Sequence, residues 1–258
     1  MTTSNEESIF RGLKKFNFFM GCLHLLQSIA ILVLSNDFSL PIKTYYLQYF
    51  SETQTLDTVT KEAFSLQIGP MIAVFLLISA VCHFYLSTVG YGWYVKNLKK
   101  HINYLRWYEY SLSSSIMIVI ISMLTGVYDL AALIPIFMIN GTMNLFGLMM
   151  ELYNQNKEKV SWIAYIFGCI AGAAPWIVIS LQLSGSGGDA GGVPDFVYYI
   201  FISIFLFFMS FAVNMVLQYK GVGRWKDYYY GEKMYIVLSL VSKSALAWQV
   251  FFGTLRPV

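Results

Sequence analysis

Residues 234–255 read MYIVLSLVSKSALAWQVFFGTL, an apolar run interrupted near its middle by one cation, Lys243. An α-helix rises about 1.5 Å per residue, so about 20 apolar residues cross the hydrocarbon of a bilayer. This run is long enough. Six more pass the same test, which places helices over about 12–35, 66–94, 102–125, 129–152, 160–183 and 195–219, with 234–255 as the seventh. Composition points the same way. The chain is 57% hydrophobic and 12% charged, against about a quarter charged in an average soluble domain, so it has too few charges to clothe a soluble globule. Aromatics at 17% suit interfacial belts and an apolar ligand pocket. The expected fold class is an all-α membrane protein, a single seven-helix transmembrane domain over residues 1–258.

The links between runs are short except the first, residues 36–62. Lys43–Phe50 and Thr53–Thr60 are rich in β-formers around a short polar turn, which predicts a β-hairpin. Lysine and arginine placement gives the sidedness. Twelve lie at the N-terminus and in the second, fourth and sixth links, against three, Lys43, Lys61 and Arg256, on the other side. The N-terminus is expected inside the cell membrane, with the C-terminus and the hairpin outside. No small-residue cleavage site follows the first apolar run, so it reads as a retained helix rather than a signal peptide. The net charge of +3, without a basic stripe, gives no case for nucleic acid. Cys22, Cys82 and Cys169 lie in apolar runs without paired spacing, which argues against a disulfide framework or a zinc site. No metal is expected.

Lys243 carries the most information. A bare ammonium at that depth costs at least about 2.5–3.5 kcal/mol on insertion scales, so it needs a partner, a neutral form or a covalent adduct. A buried lysine is also the usual amine for Schiff-base chemistry. Linkage to a retinal aldehyde is one reading; a structural ion pair or a transport lysine is the other. Counted from the last lysine of the preceding link, Glu109 on the third run and Lys243 on the seventh fall at nearly the same depth, which makes Glu109 the natural partner. The alternative pairs Glu109 with Arg106 at i, i+3, and Arg106 is expected to reach the cytoplasmic surface. Ser239 is one turn from Lys243 and Ser113 one turn from Glu109, within hydrogen-bonding reach. His24, His83, Gln27, Asn103 and Asn140 are placed to line a hydrated cavity on the cytoplasmic side. Glu151 reads as lying at the end of the fourth run, and no second carboxylate is expected in mid-membrane, so a sustained proton pump is not expected.

The run 106–115, RWYEYSLSSS, is similar to the counterion motif of the heliorhodopsins, and the run 235–249, YIVLSLVSKSALAWQ, to their retinal-lysine motif. His24–Gln27, Phe167–Gly172 and Gln218–Gly221 also match, so the resemblance covers nearly the whole chain. It implies retinal, all-trans in the dark, bound to Lys243 as a Schiff base, with Glu109 as counterion and Ser239 beside them. It further implies that Ser79, His24, His83, Asn103, Trp107, Tyr110, Asn140 and Trp248 line or approach a cytoplasmic polar cavity and hold candidate proton acceptors. Met143 and Phe208 would touch the polyene. The resemblance implies a cytoplasmic N-terminus and a homodimer in which the hairpin takes part. It also implies a slow light sensor acting on a cytoplasmic signalling partner, not an ion pump or an enzyme. The alternative is a light-gated proton channel, since some viral members of that family conduct protons.

Overall fold

The computed structural model describes residues 3–186 and 192–256. In chain order the elements are α1 (Thr3–Leu34), β1 (Ser39–Phe50), β2 (Thr55–Gln67), α2 (Ile68–Ser87), α3 (Tyr91–Leu98), α4 (Tyr104–Leu124), α5 (Leu130–Tyr153), α6 (Ile163–Gly185), α7 (Asp195–Lys220) and α8 (Tyr228–Val250). Among the described residues, seven helices are long and apolar enough to cross a membrane, all except α3. The seven-helix class and the hairpin agree with the sequence reading.

Helix ends differ from that reading for local reasons. The second run was expected to continue to residue 94, but α2 stops at Ser87. There the Thr88 hydroxyl donates to the Phe84 carbonyl at 2.6 Å and the Gly90 amide to the Tyr85 carbonyl at 2.9 Å. Gly90 carries no Cβ where the Tyr85 ring lies, and the chain restarts as the separate helix α3. The seventh helix starts earlier than residue 234. Asp227 is its N-cap, accepting from the Tyr229 amide at 2.9 Å, and such a cap stabilises a helix start by about 1 kcal/mol.

The hairpin is antiparallel, with a bulge between Ile42 and Lys43. Its base is pinned to the bundle. The Lys43 amide donates to the Tyr128 carbonyl at 2.8 Å, and the Asn36 amide donates to the Leu255 carbonyl at 2.8 Å. Asn36 Nδ2 also donates to the Thr254 carbonyl at 3.0 Å. The hairpin and the end of α8 therefore share one end of the bundle, and the N-terminus lies at the other.

The two halves of the interior differ in chemistry. Toward the hairpin, Ile72, Phe75 and Leu76 of α2 pack with Met117, Ile118 and Ile121 of α4 and Leu246 and Val250 of α8, all fully buried. The buried hydroxyls of Ser28, Ser122 and Thr125 in this half bond to backbone carbonyls, which satisfies them without water. Toward the N-terminus the buried set includes His24, Asn103, Arg106, Glu109, Glu151 and Glu232. The outer faces of the helices expose Leu26, Val33, Val81, Met138, Ile170 and Leu181, as lipid contact requires.

Candidate functional site

Lys243 is buried, and its Nζ lies 2.6 Å from Glu109 Oε1 and 2.9 Å from Ser239 Oγ. Ser239 arrives by helical spacing, one turn back along α8. Ser79 of α2 donates to the same Glu109 oxygen at 2.6 Å. The Tyr110 ring face stands 5.2 Å from Nζ, a favourable surface for a cation. Taking two charges out of water is repaid only by close geometry and further hydrogen bonds, and the site supplies both. The Ser113 hydroxyl is wholly buried and makes no hydrogen bond within the protein.

Beside Lys243 lies a cavity of about 50 Å³, lined by Tyr110, Ser113, Met117, Met143, Phe208 and Ser242. Met143, Asn144, Phe208 and Phe211 also line a cleft of about 840 Å³ bordered by α6 and α7, so the two spaces adjoin. The cleft is apolar and aromatic. The Trp176 ring packs edge-on against Phe205 and Phe208 at 5.2 and 5.4 Å. Gly172 makes room for the Met143 side chain and Gly147 for the Trp107 ring. A cleft of this size takes a ligand of a few hundred Å³, and Lys243 lines the small cavity that adjoins it. The donor set suits a long apolar aldehyde condensed on Lys243.

Trp107 spans from the cleft to the charged groups, donating from Nε1 to Glu151 Oε2 at 2.8 Å. A Cβ added at Gly147 would strike its ring. Gly147→Val is expected to push Trp107 off Glu151 and cost about 1–3 kcal/mol, the range for overpacking. Thermal unfolding in lipid or detergent checks this, and an unchanged melting temperature would contradict the close approach.

The polar residues expected to share one cavity divide into two groups. On the N-terminal side of Lys243, His24 and His83 stack with centroids 5.5 Å apart, and His83 Nδ1 lies 2.7 Å from Asn17 Oδ1. Neither nitrogen of His24 has a partner within the protein. Asn103 Nδ2 donates to Glu232 at 2.6 Å, and the Tyr110 hydroxyl to the Tyr235 carbonyl at 2.8 Å. Three expected members lie elsewhere. Gln27 accepts from Trp248 Nε1 at 3.0 Å, on the hairpin side of Lys243. Asn140 donates to Ser114 and Ser115 at 2.8 and 3.1 Å, at the edge of the cavity that holds Met143 and Phe208. Helix rotation, which depth counting ignores, separates these three from the histidines.

Two expectations need correction. Arg106 does not reach the surface. It is buried, and its guanidinium bridges the carboxylates of Glu151 and Glu232, the fork geometry for which arginine is suited. The interior also holds further buried carboxylates besides Glu109. Glu232 is 0% exposed in the second turn of α8, where the sequence reading had placed it in a link beside Lys233. Its Oε1 accepts from the Tyr94 hydroxyl at 3.0 Å, and Asn17 Nδ2 reaches that hydroxyl at 3.5 Å. Burial, then the Glu232 carboxylate, hold the Tyr94 phenol well above its ordinary range, so it remains an O–H. Glu232, Tyr94 and Asn17 were missed; Asp227, a helix-capping residue five positions before Glu232, was the available signal.

Comparison with known proteins places the chain in a family. The family model described as Heliorhodopsin matches residues 13–255. No curated protein sequence matches the chain. Among solved structures, the chain is similar to a light-driven proton pump from Leptosphaeria maculans, with a TM-score of 0.63 and 12% identity over 93% of each chain. It is also similar to Exiguobacterium sibiricum rhodopsin, with a TM-score of 0.58 and 11% identity over 94% of each chain. At these identities the likeness concerns the fold alone.

Proposed function

Because the chain belongs to the heliorhodopsin family, in which a retinal-binding, light-responsive membrane protein is implied, we propose that it is a light receptor with retinal on Lys243, Glu109 as counterion and a signalling rather than pumping role. The observation that carries the reading is the buried Lys243–Glu109–Ser239 group, with Lys243 and Ser239 lining a small cavity that adjoins an apolar cleft. Retinal, a long apolar aldehyde, supplies visible absorption and a light-driven change of shape when bound. The protein's own groups do the rest. Met143, Phe208 and Trp176 hold the apolar body, while Glu109 and Ser239 hold the proton at the Lys243 nitrogen. Ser79 orients the Glu109 carboxylate, and the Ser113 hydroxyl is available to either. Loss of the proton from Lys243 removes the attraction between α8 and α4 and shifts their packing toward the N-terminal end.

The apolar packing toward the hairpin favours a sensor. A conducting path needs polar groups free to carry a proton on both sides of Lys243, and in the Ile, Leu, Met and Phe layer the hydroxyls of Ser28, Ser122 and Thr125 are each spent on a backbone carbonyl. The chain of buried polar groups on the N-terminal side favours the alternative, a light-gated proton channel. The lysine and arginine asymmetry supports a cytoplasmic N-terminus. The exposed Tyr45, Leu47 and Tyr49 of the hairpin support a second copy of the chain as its partner. Purified protein given all-trans retinal should absorb in the visible and change its spectrum on illumination. Under voltage clamp it should be silent; photocurrents that reverse with the proton gradient would replace the sensor with the channel.

A further inference from the structure

Lys243 and Glu109 balance each other's charge. Arg106, Glu151 and Glu232 do not. One guanidinium holds two carboxylates, so the ionised cluster carries −1 where no member is more than 5% exposed. A net buried charge is costly, and one added proton removes it. Resting on the reading of Lys243 above, we propose that the proton leaving the Lys243 nitrogen on illumination comes to rest on Glu232, so that this carboxylate, and neither histidine, is the terminal acceptor.

The route selects Glu232 over Glu151. Glu109, His83 and Glu232 line one cavity of about 30 Å³, and Glu151 is not among its walls. A cavity of that size has room for about one water, which would link Glu109 to Glu232. Hydrogen bonds also join His83 to Asn17 at 2.7 Å, Asn17 to the Tyr94 hydroxyl at 3.5 Å and that hydroxyl to Glu232 at 3.0 Å; the Asn17 amide holds these groups in place and passes no proton. The donors do not separate the two carboxylates. Glu151 accepts from the Trp107 indole, the Asn103 amide and Arg106, none of which can turn to accept a proton. The Tyr228 hydroxyl also donates to it, at 3.2 Å. Glu232 accepts from Arg106, from Asn103 Nδ2 and from the Tyr94 hydroxyl, so each carboxylate meets one tyrosine hydroxyl that can rotate from donor to acceptor when the oxygen gains a proton, and the route alone separates them.

The step balances. The N–H bond at Lys243 breaks with its electron pair left on nitrogen, and an O–H bond forms on Glu232. The Lys243–Glu109 pair goes from 0 to −1 and the Arg106 cluster from −1 to 0. The total buried charge is unchanged, so the interior retains the proton without drawing a counterion from the bulk.

Light-minus-dark infrared spectra test this, taken once the visible band has given way to an ultraviolet one. The expected result is a new carbonyl stretch of a protonated carboxylic acid, lost in Glu232→Gln and shifted in Glu232→Asp. A soluble pH indicator should register no proton release at that stage. If Glu232→Gln does not fold, the shift in Glu232→Asp decides. A carbonyl band that persists unchanged in both variants assigns the proton to another acid and overturns the proposal. A band missing from the parent protein, with imidazolium bands that vanish in His83→Gln, also overturns it in favour of the histidine. The dark visible spectrum is recorded first on each sample. Its absence in the parent protein would defeat the Lys243 reading itself, a failure distinct from an infrared one.

Discussion

Protein carrying Lys243→Ala takes up no visible colour when all-trans retinal is added, whereas the parent protein does. The expected loss is complete, because the substitution removes the amine that would form the covalent link and no hydrogen bond or ion pair can replace it. The same change strips Glu109 of the cation that stands 2.6 Å away. Removing one partner of a buried ion pair costs about 3–5 kcal/mol when the other stays charged, so this variant is also expected to unfold at a lower temperature. Lys243→Arg separates the two effects. It retains a cation for Glu109 and cannot form the link, so it should lose the colour while recovering part of the stability. A visible band that survives in either variant would remove Lys243 from the attachment role.

The seven spans were legible because hydropathy over about 20 residues is a one-dimensional quantity set by bilayer thickness. The pairing of Lys243 with Glu109 was legible for a similar reason. Depth along a helix follows from residue count, and α4 and α8 run in the same direction. Rotation about the helix axis is another matter. Gln27 lies only three residues past His24, yet it bonds to Trp248 on the hairpin side. Asn140 faces Ser114 and Ser115 instead of the histidines. These choices depend on which face each helix turns to its neighbours, and mean hydropathy does not record it. Glu232 was hidden for a third reason. Its neighbour Lys233 and the tyrosines before it resemble a link, and only the Asp227 cap places the helix start ahead of them. Arg106 was then misjudged, since a partner it needed had been assigned to a loop.

In Glu109→Gln the charge facing Lys243 disappears while side-chain size and one hydrogen-bond acceptor remain. Two opposite unit charges about 4 Å apart attract by about 4 kcal/mol at the effective dielectric of a protein. A shift of one pH unit in a titration corresponds to about 1.4 kcal/mol. The carboxylate stabilises the protonated nitrogen and not the neutral one. With retinal bound, the variant should therefore exchange its visible band for an ultraviolet one at a pH lower by about three units than the parent. Below that pH, where the nitrogen still carries its proton, the visible band should lie at longer wavelength, because the anion that held positive charge at the nitrogen end is gone. Ser239 at 2.9 Å and the Tyr110 ring at 5.2 Å remain as weaker partners and set a lower limit on what is left. A pH titration followed by absorption measures both effects on one sample. Identical band position and identical midpoint in parent and variant would assign the counterion role elsewhere, and Glu232, next in line across the small cavity that also borders Glu109, would be the carboxylate to substitute next.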